Sequence, residues 1–188
     1  MIDQSPTRPH DGRPAPLIIT ATMGAADFSW ANALRQLHYA AERNLLPAHI
    51  SLFRHLPPSL GAELKVVLAQ AAKAAPPPAF IDSPVMFGEA VVIPIHSPGL
   101  MEVRAEMAER FSGLLTPQDR AEPRLHITVQ NKVARAVGLA TLAELSSTVQ
   151  PRPLHIAGLA CWRYLGGPWE LVARYAFRGR GRSRGRTR

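Results

Sequence analysis

Apolar residues recur along the chain at two spacings, every second position in some stretches and every third or fourth in others. Residues 17–23 (LIITATM) are apolar and β-branched and predict a first strand. Asp27 is placed to cap a helix over 28–43, with Trp30, Leu34, Leu37 and Ala41 along one face. A strand over 48–55 ends at Pro57-Pro58. A helix over 59–74 follows, with Leu60, Leu64, Val67 and Leu68 on its inner side, and Pro76-Pro77-Pro78 stops it. Residues 80–86 and 89–96 flank Phe87-Gly88 as the two strands of a hairpin. Next come a helix over 98–111 with Pro98 in its first turn, a strand over 124–130 and a helix over 139–149. Two closing strands, 155–165 and 169–177, are joined at Gly166-Gly167-Pro168.

This order contains a repeat. A histidine-bearing strand, a helix and two strands run from Ala48 to His96, and again from Arg124 to Phe177. The pattern predicts an α+β fold of two pseudo-symmetric halves whose antiparallel sheets face a central cleft. The folded unit is expected over 17–177. A flexible N-terminal segment (1–16) precedes it and an Arg/Gly-rich flexible tail (178–188) follows.

Charge sharpens that division. The formal charge is +8, but six arginines (Arg178, Arg180, Arg182, Arg184, Arg186 and Arg188) alternate with Gly, Ser and Thr at the C-terminus. Taking those six away leaves +2, so the folded body is near neutral and the tail carries the basicity. Such a tail can hold RNA non-specifically through counterion release. One cysteine, Cys161, excludes an internal disulfide framework. With no apolar leader in residues 1–16 and no run of 18 apolar residues, the expectation is a cytoplasmic monomer without membrane contact.

Two segments carry candidate chemistry, Ala48-His49-Ile50-Ser51-Leu52-Phe53 and Leu125-His126-Ile127-Thr128-Val129-Gln130. Each reads apolar, His, apolar, hydroxyl, apolar. Residues two apart on a strand share a face, so each strand offers one imidazole and one hydroxyl together. Imidazole titrates near neutrality, so one ring can take a proton from water while the other gives one to a leaving oxygen. The Ser51 and Thr128 hydroxyls can donate to phosphate oxygens. The scheme needs no cofactor, and two histidines without a third ligand make no zinc site.

The two motifs have companions: Glu42-Arg43-Asn44-Leu45-Leu46-Pro47 before the first, Leu115-Thr116-Pro117-Gln118-Asp119 before the second, Val129-Gln130-Asn131-Lys132 after it, and residues 162–169 (WRYLGGPW) near the end. Together they resemble the 2H phosphoesterase superfamily in its 2′-5′ RNA ligase-like branch, over nearly all of 17–177. The resemblance implies a bilobal α+β fold and action on 2′,3′-cyclic phosphate ends of RNA or nucleotides. His49 and His126 would be the catalytic pair, with His49 favoured as acid and His126 as base, and Ser51 and Thr128 would bind phosphate. Reversible 2′-5′ RNA ligation, 3′-end exonuclease action at the same site and a non-catalytic RNA-binding module are the competing readings.

Further substrate contacts are expected from Phe53, Gln130 and Lys132, which continue the two motif faces if the strands stay regular, and from Arg43 just before the first motif. Phe53 could stack on a base and Lys132 steer phosphate. Cys161 reads as a core residue, and His38, His55, His96 and His155 as structural or exposed.

Overall fold

The structure is a computed structural model and describes residues 14–179. The expected N-terminal segment and the arginine tail lie outside the described residues, apart from 14–16 and 178–179. The strands are β1 (Leu17–Met23), β2 (Ile50–Leu56), β3 (Ala79–Ile81), β4 (Val85–Phe87), β5 (Ala90–His96), β6 (His126–Gln130), β7 (Arg152–Leu154), β8 (Ile156–Tyr164) and β9 (Trp169–Ala176). The helices are α1 (Ala25–His38), α2 (Gly61–Ala71), α3 (Pro98–Arg110), α4 (Pro117–Arg120) and α5 (Arg135–Thr148). Among these no helix is long and apolar enough to cross a membrane.

The fold is α+β. Every strand pairing is antiparallel, in the order β7-β3-β5-β6-β2-β1-β8-β9, with β4 paired to the start of β5 off this path. The sheet divides at its middle. β2 and β6 meet at one register pair, Ile50 with Ile127, whereas β1 runs along β8 through most of its length. One half holds β6, β5, β4, β3 and β7, and the other holds β2, β1, β8 and β9. The repeats in the sequence therefore cross over. The first repeat contributes β2 to one half and β3–β5 to the other, and the second contributes β6 and then β8–β9 in the reverse sense.

The core is continuous across this seam. Ile19, Ile50, Leu56, Leu64, Leu68, Leu100, Met107, Ile127, Leu145 and Ile156 belong to one buried cluster drawn from both halves. Helix α1 packs on β1 and β6, α2 against β8 and β9, and α5 against β4 and β5. Ser97 caps α3, its Oγ accepting from the Leu100 N–H, with Pro98 as the first helical residue.

Several expected elements shift. The first helix begins at Ala25 and stops at His38, because Tyr39 is extended and residues 41–43 form a separate 3₁₀ turn. Asp27 does not cap it; its carboxylate accepts from Arg152 Nη1 at 2.6 Å and from the His155 N–H at 2.8 Å. The hairpin strand expected over 80–86 is broken at Asp82-Ser83-Pro84 into β3 and β4; both pieces pair with β5, and β3 pairs with β7 as well. Strand β7 itself, three residues with Pro153 at the centre and Pro151 just before, has too little pattern to announce it.

Candidate active site

The seam between the halves brings the motifs together. The pair Ile50–Ile127 sends both side chains to the core, where each is fully buried. Its antiparallel register sets His49 across from Thr128 and Ser51 across from His126, and all four are half-buried on the opposite face. Diagonal neighbours on paired strands lie roughly 7–8 Å apart, so the two imidazoles are spaced for a phosphate between them. An open cleft of about 1240 Å³ lies over this face and is lined by all four residues.

Both imidazoles are held in the same way. His49 Nδ1 lies 2.8 Å from the Pro47 carbonyl and His126 Nδ1 lies 2.6 Å from the Arg124 carbonyl. A carbonyl only accepts, so each Nδ1 carries the hydrogen and each Nε2 is left for the cleft. Each ring also lies against an aromatic side chain. Trp169, opening β9, stands 4.7 Å from the His49 ring centroid, and Phe87, closing β4, meets His126 edge-on at 5.4 Å. Trp169 leans in turn on Trp162, whose indole N–H donates to Thr20 Oγ1 at 2.8 Å.

These surroundings favour neutral rings. Burial pushes His49 down to about 4, against the opposing pull of the Pro47 carbonyl, and the charges of Arg35 and Arg54 add to the lowering. His126 is lowered too, first by burial and then, after the opposing Arg124 carbonyl, by Arg54.

Arg35 ties the site together, and nothing in its helical setting announces it. It is buried, and its guanidinium donates to Asn44 Oδ1 and the Leu46 carbonyl (2.8 Å each) and to the Thr128 carbonyl (2.9 Å). One side chain from α1 thus joins the approach to the first motif with the backbone of the second. Its charged plane also stacks on Tyr39, 3.9 Å from the ring centroid.

The other expected contacts divide. Lys132 lines the cleft, in a left-handed conformation (φ 58°), with its N–H bonded to Asn131 Oδ1. Arg43 is not on the cleft wall; its Nη1 donates to the Lys132 carbonyl at 2.9 Å and braces that turn. Phe53 and Gln130 do not reach the cleft at all. Between Thr20–Ser51 and Ile19–Phe53 the register advances one residue on β1 and two on β2, so Leu52 is the extra residue of a β-bulge. Between Val92–Thr128 and Val91–Gln130 the same happens on β6, with Val129 the extra residue.

Each bulge turns the next residue onto the helix-covered face. Phe53 is fully buried, its ring 4.7 Å from the Arg104 guanidinium of α3. Gln130 is 3% exposed, its Nε2 donating to the His38 carbonyl and to Thr141 Oγ1 of α5. The residues after these two, Arg54 and Asn131, come back to the cleft wall. Cys161 is buried, and burial pushes its thiol up to about 11, which fits a core residue.

The family model of the 2′-5′ RNA ligase superfamily matches residues 24–168. The chain belongs to the 2′-5′ RNA ligase superfamily. Solved structures with the same fold include TT0787 of Thermus thermophilus, at 14% identity and a TM-score of 0.61, with 88% of this chain and 100% of that one aligned. A protein described as a phosphoesterase aligns at 16% identity and a TM-score of 0.54, over 88% of this chain and 99% of its own. E. coli LigT complexed with 3′-AMP aligns at 14% identity and 0.54, over the same shares, and LigT has also been solved with NADP+. No curated protein sequence matches significantly. Within the superfamily, this chain is thus aligned over nearly its whole folded part while sharing few residues with its structural neighbours.

Proposed function

We propose that the chain hydrolyses 2′,3′-cyclic phosphate ends of RNA or nucleotides without a metal ion. The observation that carries this reading is the Ile50–Ile127 register, which gathers His49, Ser51, His126 and Thr128 on one face, with both Nε2 atoms free of the backbone. One neutral imidazole takes a proton from water as its oxygen attacks phosphorus. The bond from phosphorus to one ribose oxygen breaks, and the protonated imidazole gives that oxygen its hydrogen. Ser51 and Thr128 donate hydrogen bonds to the non-bridging oxygens as charge gathers there.

Following the resemblance, His49 is the acid and His126 the base. The low affinity of His49 for a proton in the free enzyme means that this role depends on the substrate. An anionic phosphate seated between the rings favours the charged form of both and restores the proton His49 has to give. E. coli LigT, which shares the fold, was solved with 3′-AMP, a ribose phosphate of the kind this reaction would release.

A second reading, reversible 2′-5′ ligation, replaces water by the 5′-hydroxyl of another RNA end. The size and openness of the cleft favour keeping it, since there is room for nucleotides on both sides of the reacting phosphate. The test is to supply 2′,3′-cyclic mononucleotides, cyclic-ended oligomers and 5′-hydroxyl acceptors in excess EDTA. Monoester formation from the cyclic substrates supports the proposal. Joined 2′-5′ products without monoester support the second reading, and activity that needs added zinc or manganese contradicts the metal-free scheme.

A further inference from the structure

Arg54 and Asn131 stand five residues after His49 and His126, and each is the residue that its bulge returns to the cleft wall. The seam register puts Arg54 beyond the Ser51–His126 end of the quartet and Asn131 beyond the His49–Thr128 end. The equivalent places differ in charge, Arg54 being a cation where Asn131 is neutral, with the Lys132 cation one residue further on. Arg54 is exposed, and among the described residues its guanidinium makes no hydrogen bond and no ion pair. The carboxylate bonded to this stretch, that of buried Asp119, does not neutralise it. Its two oxygens accept instead from the backbone N–H groups of Arg54 (2.9 Å) and His55 (2.8 Å).

Asp119 therefore fixes the backbone just past the bulge and leaves the Arg54 side chain to the cleft. The other arginines there are engaged. Arg35 is tied to Asn44, Leu46 and Thr128, Arg104 donates to the Asp119 and Ala121 carbonyls, and Arg124 lies 5.6 Å from the centre of the Phe87 ring. The remaining carboxylates on the wall, Glu89 and Glu122, are exposed. The Arg54 charge also reaches both catalytic imidazoles and disfavours protonation of each. A cation that two neutral rings share, with no anion of its own, is completed by an anion between those rings.

We infer that Arg54 is a phosphate-binding residue of this site, its guanidinium taking the non-bridging oxygens of the phosphate seated between His49 and His126. The planar fork suits two phosphate oxygens at once, as a lysine ammonium does not. The inference rests on the proposed phosphoesterase reading for where the phosphate sits. Its test needs no turnover: inorganic phosphate binding by calorimetry, and the titration of both histidine rings by NMR, in the full chain and in Arg54→Gln.

Losing the fork should weaken phosphate binding by about tenfold or more, the size of a charge-assisted contact. It should also move the midpoints of both rings upward, a response that loss of a merely structural side chain would not produce. In a folded Arg54→Gln protein, unchanged phosphate affinity with unchanged midpoints would overturn the inference. Arg54→Lys, which keeps the charge, should leave the midpoints in place and still lower phosphate affinity; equal affinity there would also count against the fork. If no variant turned over a cyclic phosphate but phosphate affinity still depended on Arg54, the catalytic reading would fail and this inference would stand.

Discussion

Leu52 and Val129 occupy equivalent places in the two halves, each the extra residue of a β-bulge one step beyond a motif hydroxyl. Both are buried, at 2% and 0% exposure. A bulge changes which residues share a face, and here it ends each histidine-hydroxyl motif after three residues. Past the bulge, the first residue of each strand belongs to the core and the second to the cleft wall.

The bulges give Phe53 and Gln130 structural work. Phe53→Ala should destabilise the chain by about 3–5 kcal/mol, the usual loss for a buried aromatic. Gln130→Ala leaves the His38 carbonyl and Thr141 hydroxyl without their donor and should cost about 1–3 kcal/mol. Denaturant unfolding measures both, and KM for a cyclic nucleotide should stay near wild type in whatever remains folded. Stable variants with raised KM would return these side chains to the substrate.

The reason these two were misplaced by alternation is specific. In 49–55 (HISLFRH) the adjacent apolar residues Leu52 and Phe53, followed by polar Arg54 and His55, are a trace of the bulge. In Val129-Gln130-Asn131 no such trace exists, since a buried glutamine looks like a surface one until its partners on α1 and α5 are known. The motif residues themselves were legible because a strand of period two fixes their common face before any tertiary contact forms. Arg35 was not. An arginine on a helix reads as solvated, and only the packing of α1 across the seam brings it to Asn44, Leu46 and Thr128. Asp27 was legible as an N-terminal acid, but its strongest partners, Arg152 and His155, lie more than a hundred residues away.

The lowered proton affinities set the pH dependence. Catalysis needs one ring protonated and the other neutral, so kcat/KM peaks between the two free-enzyme midpoints. Both midpoints lie below the ordinary 6.5, His49 at about 4. The bell should therefore sit on the acidic side, falling already as pH rises through neutrality. In the kcat profile, which reports the complex, both limbs should move upward because the bound anion favours charged rings. Steady-state profiles for a cyclic mononucleotide check this, and a kcat/KM maximum on the alkaline side would contradict the neutral, desolvated rings.

The arginine tail can be tested apart from the cleft. The N–H groups of Arg178 and Gly179 bond the Ala72 and Ala74 carbonyls just past α2, so truncation belongs after Gly179. Deleting residues 180–188 removes five of the six terminal arginines. Mononucleotide turnover should be unchanged, whereas affinity for a long RNA should fall and its salt dependence become shallower, because fewer counterions are released. Equal affinity and equal salt slopes would show that the tail contributes nothing to RNA binding.

The central claim is that His49 and His126 carry the two proton transfers, and turnover of a 2′,3′-cyclic mononucleotide in EDTA by His49→Ala and His126→Ala tests it most directly. Each variant should lose roughly 10²–10⁴ in kcat, as removal of a general acid or base does. Ser51→Ala and Thr128→Val should lose less, with all four variants keeping the fold by circular dichroism. A rate near wild type in either histidine variant would contradict the claim.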